Sequence, residues 1–510
     1  MIDYSSYNPN IFNRIIIQCA EWTSFVPGSQ AVWKYVLDSH QDDPFRVLME
    51  IILIFFALHY VMSKSYKVND KEKVKLTEKE IDELVADWQP EPLVSGELSE
   101  WDRLELDSSK VFSGPTGAKQ TTKEGKVLLN AASANFLGLN NNDQVREKAV
   151  EVLREYGVGT CGPCGFYGTI DKHMDLEKNL STFLGYQESI LYSHGFSTVS
   201  SVIPCFCKRG DLIICDENVN FAIQKGVQIS RSSVKYFKHN DMKDLERILK
   251  EVETEDLKTK RLPPRRFIIV EGLYQNSGDI APMPTLIEFK KKYKYRLLSD
   301  ESYSFGVLGA NGRGSAEHFN LKTTDIDVYV ATLSNALSAA GGFCASTPEI
   351  IERQRLAGAA YVFSASMPAI LTHTAIESLN MLEQNPALLS NLRSNIRAAK
   401  SILNTIPHYD FTVSSHTEHS PIIHLAFSKE ISSKVTLFQN ATILQEIVDE
   451  CFKEGVLITR SKYHPTQERR QWPPSIRFAL TAGLSVKESE RCASVVKSST
   501  QKVLNQHKLL

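Results

Sequence analysis

No charge of one sign dominates this chain: 58 lysines and arginines stand against 60 aspartates and glutamates, for a formal net charge of −2. The basic residues are dispersed along the sequence, so the electrostatic footprint of a nucleic-acid binder is missing and no nucleic-acid partner is expected. Cysteine is sparse and unpatterned. Nine in 510 residues, with no regular framework and no cleavable signal peptide, exclude a disulfide scaffold and point to a reducing compartment. The pair Cys161-Gly-Pro-Cys164 has the spacing of a redox dithiol, yet it sits in a glycine-rich loop rather than at a helix start after a strand. Cys205 and Cys207 have no second metal-spaced pair close by, so no metal site is expected. Internal repeats and low-complexity tracts are absent, which removes solenoids and disordered arrays from consideration.

Long hydrophobic runs are almost missing as well. The exception is residues 45–62, apolar except for Arg46, Glu50 and His59. As a helix it would be about 27 Å long, close to one hydrocarbon thickness, and it is read as a single transmembrane helix. Asp42 and Asp43 precede it, while Lys64, Lys67, Lys71, Lys73 and Lys75 follow, so the positive-inside bias places everything after it in the cytosol. A buried or interfacial helix is the alternative reading of the same run. Residues 1–44 form an N-terminal segment in which Ile11, Phe12, Ile15 and Ile16 oppose Arg14 and Gln18, followed by the apolar group Val32, Trp33, Tyr35, Val36 and Leu37. Such a segment suits a bilayer surface, a partner, or packing within its own fold. Residues 63–94 read as a charged linker and a short helix. There Thr77 and Glu80 make a capping box ahead of Ile81, Leu84, Val85 and Trp88, and Pro90 and Pro92 close it.

Beyond residue 127 short β-rich runs alternate with helical patterns. Residues 189–192, 212–215, 234–237, 267–271, 296–299 and 328–333 read as buried strands, which predicts an α/β domain with a mainly parallel sheet. Residues 386–510 read as a smaller α+β domain, with a helix through 389–406 and strands near 422–427 and 476–480.

In open α/β sheets ligands gather at the carboxyl ends of strands. The strand ending at Ser299 runs into Asp300-Glu-Ser-Tyr-Ser-Phe-Gly-Val-Leu-Gly309; a strand-end aspartate there serves either as a helix cap or as an acceptor for a ligand nitrogen. The strand ending at Tyr192 leads into Ser193-His-Gly-Phe-Ser-Thr, a helix start whose N–H groups suit a phosphate or ordinary capping.

These pieces come in a recognisable order. The run Tyr156-Gly-Val-Gly-Thr-Cys-Gly-Pro-Cys-Gly-Phe-Tyr-Gly-Thr169 is followed by His173-Met-Asp-Leu-Glu177, Phe237-Lys-His-Asn-Asp241, Gly278-Asp-Ile-Ala-Pro282, Asp300-Glu-Ser-Tyr-Ser-Phe-Gly306 and Gly341-Gly-Phe343. Over residues 95–490 the chain resembles the α-oxoamine synthases, pyridoxal phosphate (PLP) enzymes of fold type I. Within them it is similar to the non-catalytic subunits of the serine palmitoyltransferase branch. The resemblance implies a PLP-transferase large domain over 95–385, with an N-terminal arm, ahead of the small domain.

It also implies a set of losses. Asn335, in Ala331-Thr-Leu-Ser-Asn-Ala-Leu, matches the Schiff-base lysine, and a carboxamide can neither form an imine nor move protons as an amine does. Asn220 holds the place of the histidine that stacks on the cofactor ring, and Tyr303 that of the histidine in an Asp-Glu-x-His motif. Only Asp300 survives of this set. Cys164 stands where arginine is frequent, so no role transfers there. Arg477 matches the arginine that binds the substrate carboxylate. With no cofactor expected beside it, a salt bridge within the small domain is its anticipated role. The resemblance places Cys161, Phe166, Tyr167, Ser364 and Ser366 across an interface, nearest the cofactor of a partner subunit.

The implied whole is a heterodimer: this chain binds no cofactor covalently, and the lysine-bearing partner holds PLP. The complex would condense L-serine with palmitoyl-CoA to 3-ketosphinganine. The resemblance further implies the endoplasmic reticulum membrane with a cytosolic head, a small activating membrane subunit and Orm-type regulators. Two other readings stand beside it, an active synthase using another lysine such as Lys225 or Lys208, and a membrane scaffold with no active-site role.

Overall fold

A computed structural model describes residues 11–62, 76–93, 96–259, 264–410, 418–463 and 467–509. The lysines at 64, 67, 71, 73 and 75 lie outside the described residues. The chain forms two compact units, Met1–Glu97 and Leu98–Leu510.

The first unit is helical: α1 (Ile11–Trp22), α2 (Ser29–Asp42), α3 (Pro44–Met62) and a short helix Glu78–Asp87. The turn between α1 and α2 is held by Trp33, whose indole donates to the Thr23 hydroxyl at 2.6 Å, and by Ser29, which donates to the Thr23 carbonyl at 2.8 Å. Ile16, Ala20 and Leu37 are buried, whereas Ile15, Val32 and Tyr35 stay exposed, so only part of each apolar group is covered. The capping box forms as expected, with Thr77 and Glu80 bonded reciprocally at 2.7 and 3.3 Å.

Helix α3 corrects the expectation of a transmembrane helix. Among the described residues no helix is long and apolar enough to cross a membrane. Its 19 residues rise about 28 Å, against about 30 Å of hydrocarbon, and Glu50 and His59 interrupt the apolar surface. Phe45, Leu48 and nearly every apolar side chain from Ile51 to Met62 is nonetheless exposed.

In the second unit the arm strands come first: β1 (Phe112–Ser113), β2 (Lys119–Thr122) and β3 (Val127–Asn130). The large sheet follows with β4 (Glu188–Tyr192), β5 (Leu212–Asp216), β6 (Ser233–Phe237), β7 (Arg266–Glu271), β8 (Arg296–Asp300), β9 (Val328–Thr332) and β10 (Gly342–Ser346). Six of these match the strands read from apolar runs: β4, β5, β7, β8 and β9 are almost wholly buried, and strands covered on both faces are continuously hydrophobic, while β6 at the sheet edge is only partly buried. The spatial order is β4-β10-β9-β8-β7-β5-β6, parallel throughout except where β10 runs against β4 and β9. One core packs around this sheet.

The remaining strands are β11 (Tyr409–Asp410), β12 (Ile422–Phe427), β13 (Val456–Leu457), β14 (Thr459–Arg460) and β15 (Ser475–Ala479). Strands β11-β12-β15-β14 make an antiparallel sheet, while β13 joins β3 in parallel, stitching the arm to the C-terminal region. A second core unites them: Ala131 and Phe136 pack with Leu392, Leu425, Phe478 and Val496.

Candidate active-site cavity

The carboxyl ends of the parallel strands bring two acids together. Glu271 ends β7 and Asp300 ends β8, in register as neighbours. Asn220 caps the helix Phe221–Ser230, its Oδ1 accepting from the Ile223 N–H at 3.1 Å. Its Nδ2 remains free to donate to Asp300 Oδ2 at 2.8 Å, and its backbone N–H donates to Glu271 Oε1 at 2.7 Å. Gln275 N–H adds a bond to Glu271 Oε2 at 3.0 Å, and Ser302 N–H one to Asp300 Oδ1, also at 3.0 Å. Burial, followed by the charge of Asp300, pushes the Glu271 carboxyl up to about 8. Burial raises Asp300 as well, against the pull of its Ser302 and Asn220 donors.

Above this floor lies a cavity of about 580 Å³, lined among others by Ser193, Gly195, Asn220, Asn276, Asp300, Tyr303, Asn335 and Lys462. The helix Gly195–Phe206 starts at its edge. A Cβ on Gly195 would lie 2.4 Å from Thr332 Oγ1, so only glycine lets the helix start press on the end of β9. Ser193 spends its hydroxyl on the Ala365 carbonyl. Asn335 donates from Nδ2 to the Ser302 carbonyl at 2.9 Å, and its own carbonyl accepts from Phe136 N–H at 3.2 Å. Tyr303 packs on Phe136 with ring centroids 6.1 Å apart, and burial pushes its phenol up to about 12.

The structure thus gathers Asn335, Asp300, Asn220 and Tyr303 around one cavity. These residues do not fit a covalently held aldehyde cofactor. The side chain at 335 is an amide already bonded to the backbone, and Asn220 lays its amide on Asp300 instead of presenting a ring to stack. Of the lysines considered as substitutes, Lys225 lies over the Phe221 ring and bonds Gln228, and Lys208 is exposed; neither lines the cavity. Lys462 does line it, with its ammonium paired to Glu105 at 2.8 Å.

Cys161, Phe166, Tyr167, Ser364 and Ser366 lie away from the chain's own cavity, on two tied loops. Ser366 N–H donates to the Gly162 carbonyl at 2.9 Å, and its hydroxyl to the Gly168 carbonyl at 2.6 Å. His173 anchors the same loops, bridging the Ile170 N–H at 3.1 Å and the Met367 carbonyl at 2.6 Å. Glu177 of the same motif accepts from Leu191 N–H and from Arg355, each at 3.0 Å, so both motif residues are structural. Cys161 and Tyr167 hold left-handed φ values of 60° and 65°, a strained choice for non-glycine residues. Tyr167 is 102% exposed, Phe363 83%, Val158 80% and Phe166 63%. Ser364 only bonds the Ala360 carbonyl, at 2.5 Å. All nine cysteines are free, and six are buried.

Arg477 departs from expectation: among the described residues it makes no ion pair. Its Nη2 donates to the Ala132 carbonyl at 3.3 Å, and its Nε is buried without a partner. Its neighbours across the sheet are His424 on β12 and Thr459 on β14, neither of them an acid. Sequence reasoning also missed Glu271, Asn276 and Asn135, whose side-chain amide is buried with neither end bonded. Glu271 was within reach of the strand-end argument applied to Asp300. The two asparagines had no such signal.

Comparison with known proteins agrees with this geometry. The family of class I and II aminotransferases matches residues 126–496. Long chain base biosynthesis protein 1c of Oryza sativa is 42% identical, over 86% of this chain and 88% of that protein. Serine palmitoyltransferase 1 of Dictyostelium discoideum is 39% identical over 89% and 93%, and its Saccharomyces cerevisiae namesake 35% over 98% and 95%. Among solved structures, an SPT carrying PLP as an internal aldimine superposes with a TM-score of 0.68 at 25% identity, covering 79% of this chain and 96% of that one. Sphingomonas wittichii serine palmitoyltransferase shares the fold, with a TM-score of 0.69 at 24% identity over 80% and 99% of the chains. The chain therefore belongs to the class I and II aminotransferase family, among the relatives named long chain base biosynthesis protein 1 and serine palmitoyltransferase 1.

Proposed function

We propose that this chain is the non-catalytic subunit of a serine palmitoyltransferase, the complex that condenses L-serine with palmitoyl-CoA to 3-ketosphinganine and so begins sphingolipid synthesis. The observation that carries the reading is Asn335, a backbone-bonded amide in a cavity whose relatives include an SPT with a lysine-type PLP linkage. PLP, held by the partner, would supply the electron sink that the condensation needs. This chain contributes no covalent step.

Its part is to complete the partner's site from across the interface. In support, the loops carrying Cys161, Phe166, Tyr167, Ser364 and Ser366 are tied together through Ser366, strained at Cys161 and Tyr167, and display large apolar side chains to solvent. Exposed aromatics on a pre-ordered loop are what interface anchors require. Strain of this kind persists where surrounding structure over-determines it, typically at ligand clamps. Arg477, whose guanidinium bonds the Ala132 carbonyl, is assigned to tying the small domain to the large one rather than to substrate.

The complex belongs to the endoplasmic reticulum membrane with its catalytic head in the cytosol. The apolar surface of α3 is suited to lying in the headgroup region, which fits a long acyl substrate. A small activating membrane subunit and Orm-type regulators complete the assembly. Co-purification tests the reading. The full chain should bring down a PLP-bearing homologue at equal stoichiometry and show no turnover of serine and palmitoyl-CoA by itself. Turnover by the isolated chain, or a borohydride-trapped lysine adduct on it, would overturn the proposal.

A further inference from the structure

We propose that a cluster of basic side chains between the helix Ala387–Leu403 and the short helix Ser315–His318 binds a phosphoryl group, carried by a small soluble phosphate or by a lipid headgroup. This goes beyond the subunit reading and does not rest on it: no partner chain enters, and none of the residues lines the cavity above Asp300.

Helical spacing makes one half of the cluster. Arg393, Arg397 and Lys400 stand at i, i+4 and i+7 of the helix Ala387–Leu403, so they share a face. The other half is a pair of imidazoles. His318 ends the helix Ser315–His318 and His419 leads into β12, their ring centroids 4.8 Å apart and their planes at 68°. Basic groups from three stretches of chain thus meet where the large domain adjoins the small one.

The chain leaves much of this positive charge unanswered. Arg393 donates from Nη2 to the Gly309 carbonyl, a neutral acceptor. Arg397 is exposed and makes no hydrogen bond or ion pair among the described residues, and neither do the ring nitrogens of His318 and His419. The acids that act on the cluster are Glu418 and Asp279, and Asp279 is already bonded to His239 at 3.1 Å.

The crowding shows in how these groups hold their protons. Burial, then the neighbouring His419 and Arg393, keep the His318 imidazole below its usual range. Burial does the same to His419, followed by Arg393, with Glu418 opposing and Arg397 and Lys400 adding to the push. Burial also brings the Lys400 ammonium down to about 8, against the pull of Asp279 and Glu418. An anion set among them favours the charged form of all three, so its binding takes up protons. Arginine forks and imidazoles approaching from different stretches suit a tetrahedral group, with three accepting oxygens and close to two charges, better than a planar carboxylate.

Calorimetric titration of the purified full-length chain at low salt tests this, with inorganic phosphate, sulfate and acetate as probes. Saturable binding of phosphate and sulfate is expected, about tenfold or more tighter than acetate. Sulfate does not titrate in this range, so its affinity reports the protein's own protons. It should be about tenfold or more tighter near pH 6 than near pH 8, because the anion prefers the protonated histidines and these lose their protons as pH rises. His419→Gln should flatten that dependence. Arg397→Gln is the deciding variant: its side chain holds nothing in the described fold, so sulfate affinity should fall about tenfold or more with the melting temperature unchanged. Flotation with phosphatidylcholine vesicles, with and without phosphatidic acid, separates the two sources. Arg397-dependent binding of the free ions assigns the site to a soluble phosphate; Arg397-dependent binding confined to phosphatidic acid vesicles assigns it to a headgroup. Wild-type affinity in Arg397→Gln with both kinds of probe, acetate bound as tightly as sulfate, or a sulfate affinity indifferent to pH overturns the proposal. Co-purification with a PLP-bearing partner is unaffected by any of these results.

Discussion

At the scale of single residues, the losses around the cavity are not independent. Asn220 serves as helix cap, as donor to Asp300 and, through its backbone, as donor to Glu271. Asn335 ties the segment after β9 to the loop after β8. Restoring one amine therefore does not restore chemistry. Asn335→Lys is expected to give no imine absorbance with PLP and no turnover, because Asn220 still occupies Asp300; spectrophotometric titration of the purified variant checks it. A second residue-scale expectation concerns His239. Its ring bonds Asp216 at 3.0 Å and Asp279 at 3.1 Å. Burial works to lower its pKa, but the two carboxylates override it and hold the imidazolium up to about 9. Raised above its unfolded value of 6.5, the group contributes stability that is full below about pH 6.5 and is lost as pH rises through about 9. The contribution is on the order of 3 kcal/mol. Denaturant melts of His239→Gln across that window should show the slope flattened; an unchanged slope would exclude the charged sandwich. Glu271, raised from 4.5 to about 8, acts in the same direction but between about pH 4.5 and 8, so Glu271→Gln should flatten the fall of stability over that window.

At the scale of elements, the two tied loops are the part most sensitive to small changes. Gly168 has no room for a side chain: a Cβ there would lie 2.0 Å from the Gly162 carbonyl. Gly168→Ala must open the turn and release its bond from Ser366, costing about 2–4 kcal/mol by the usual measure of overpacking and a lost buried hydrogen bond. Weaker partner association, by about tenfold or more, should accompany the drop in melting temperature. Cys161→Trp tests the same loop without touching its anchors. It should alter substrate choice or turnover of the complex while the chain's own melting temperature stays within about 2 °C; unchanged kinetics would remove the loop from the partner's site. The elements themselves were legible to very different degrees. The five doubly covered strands announced themselves as apolar runs, and the edge strand β6, only partly buried, through its Val, Tyr and Phe. β10, with the composition Gly-Phe-Cys-Ala-Ser, did not, because small residues pack against neighbours without raising local hydrophobicity. Helix α3 was legible as a helix, yet its membrane-crossing role was not borne out, since length and interruption by polar residues decide spanning and apolar content alone does not.

At the scale of the whole molecule, the division at Glu97 carries its own expectation. A fragment of residues 98–510 contains both cores, so its melting temperature should match the full chain's within about 2–4 °C, the shift expected for a loss of no more than about 1 kcal/mol. It should also lose vesicle flotation, because the exposed apolar surface of α3 goes with the first unit. Flotation that persists in the fragment would move the membrane contact elsewhere.

The sequence by itself determined the α/β architecture, through hydrophobic period and run length, and the missing amine at 335, because identity of a side chain is a covalent fact. It also pointed to Asp300, Asn220 and Tyr303, since ordered motifs carry their spacing with them. Only the tertiary structure decided that Glu271 faces Asp300, that Arg477 makes no ion pair among the described residues, that β3 pairs with β13 and that Asn276 lines the cavity. Those are distances between residues far apart in the chain, set by packing, and no local pattern encodes them.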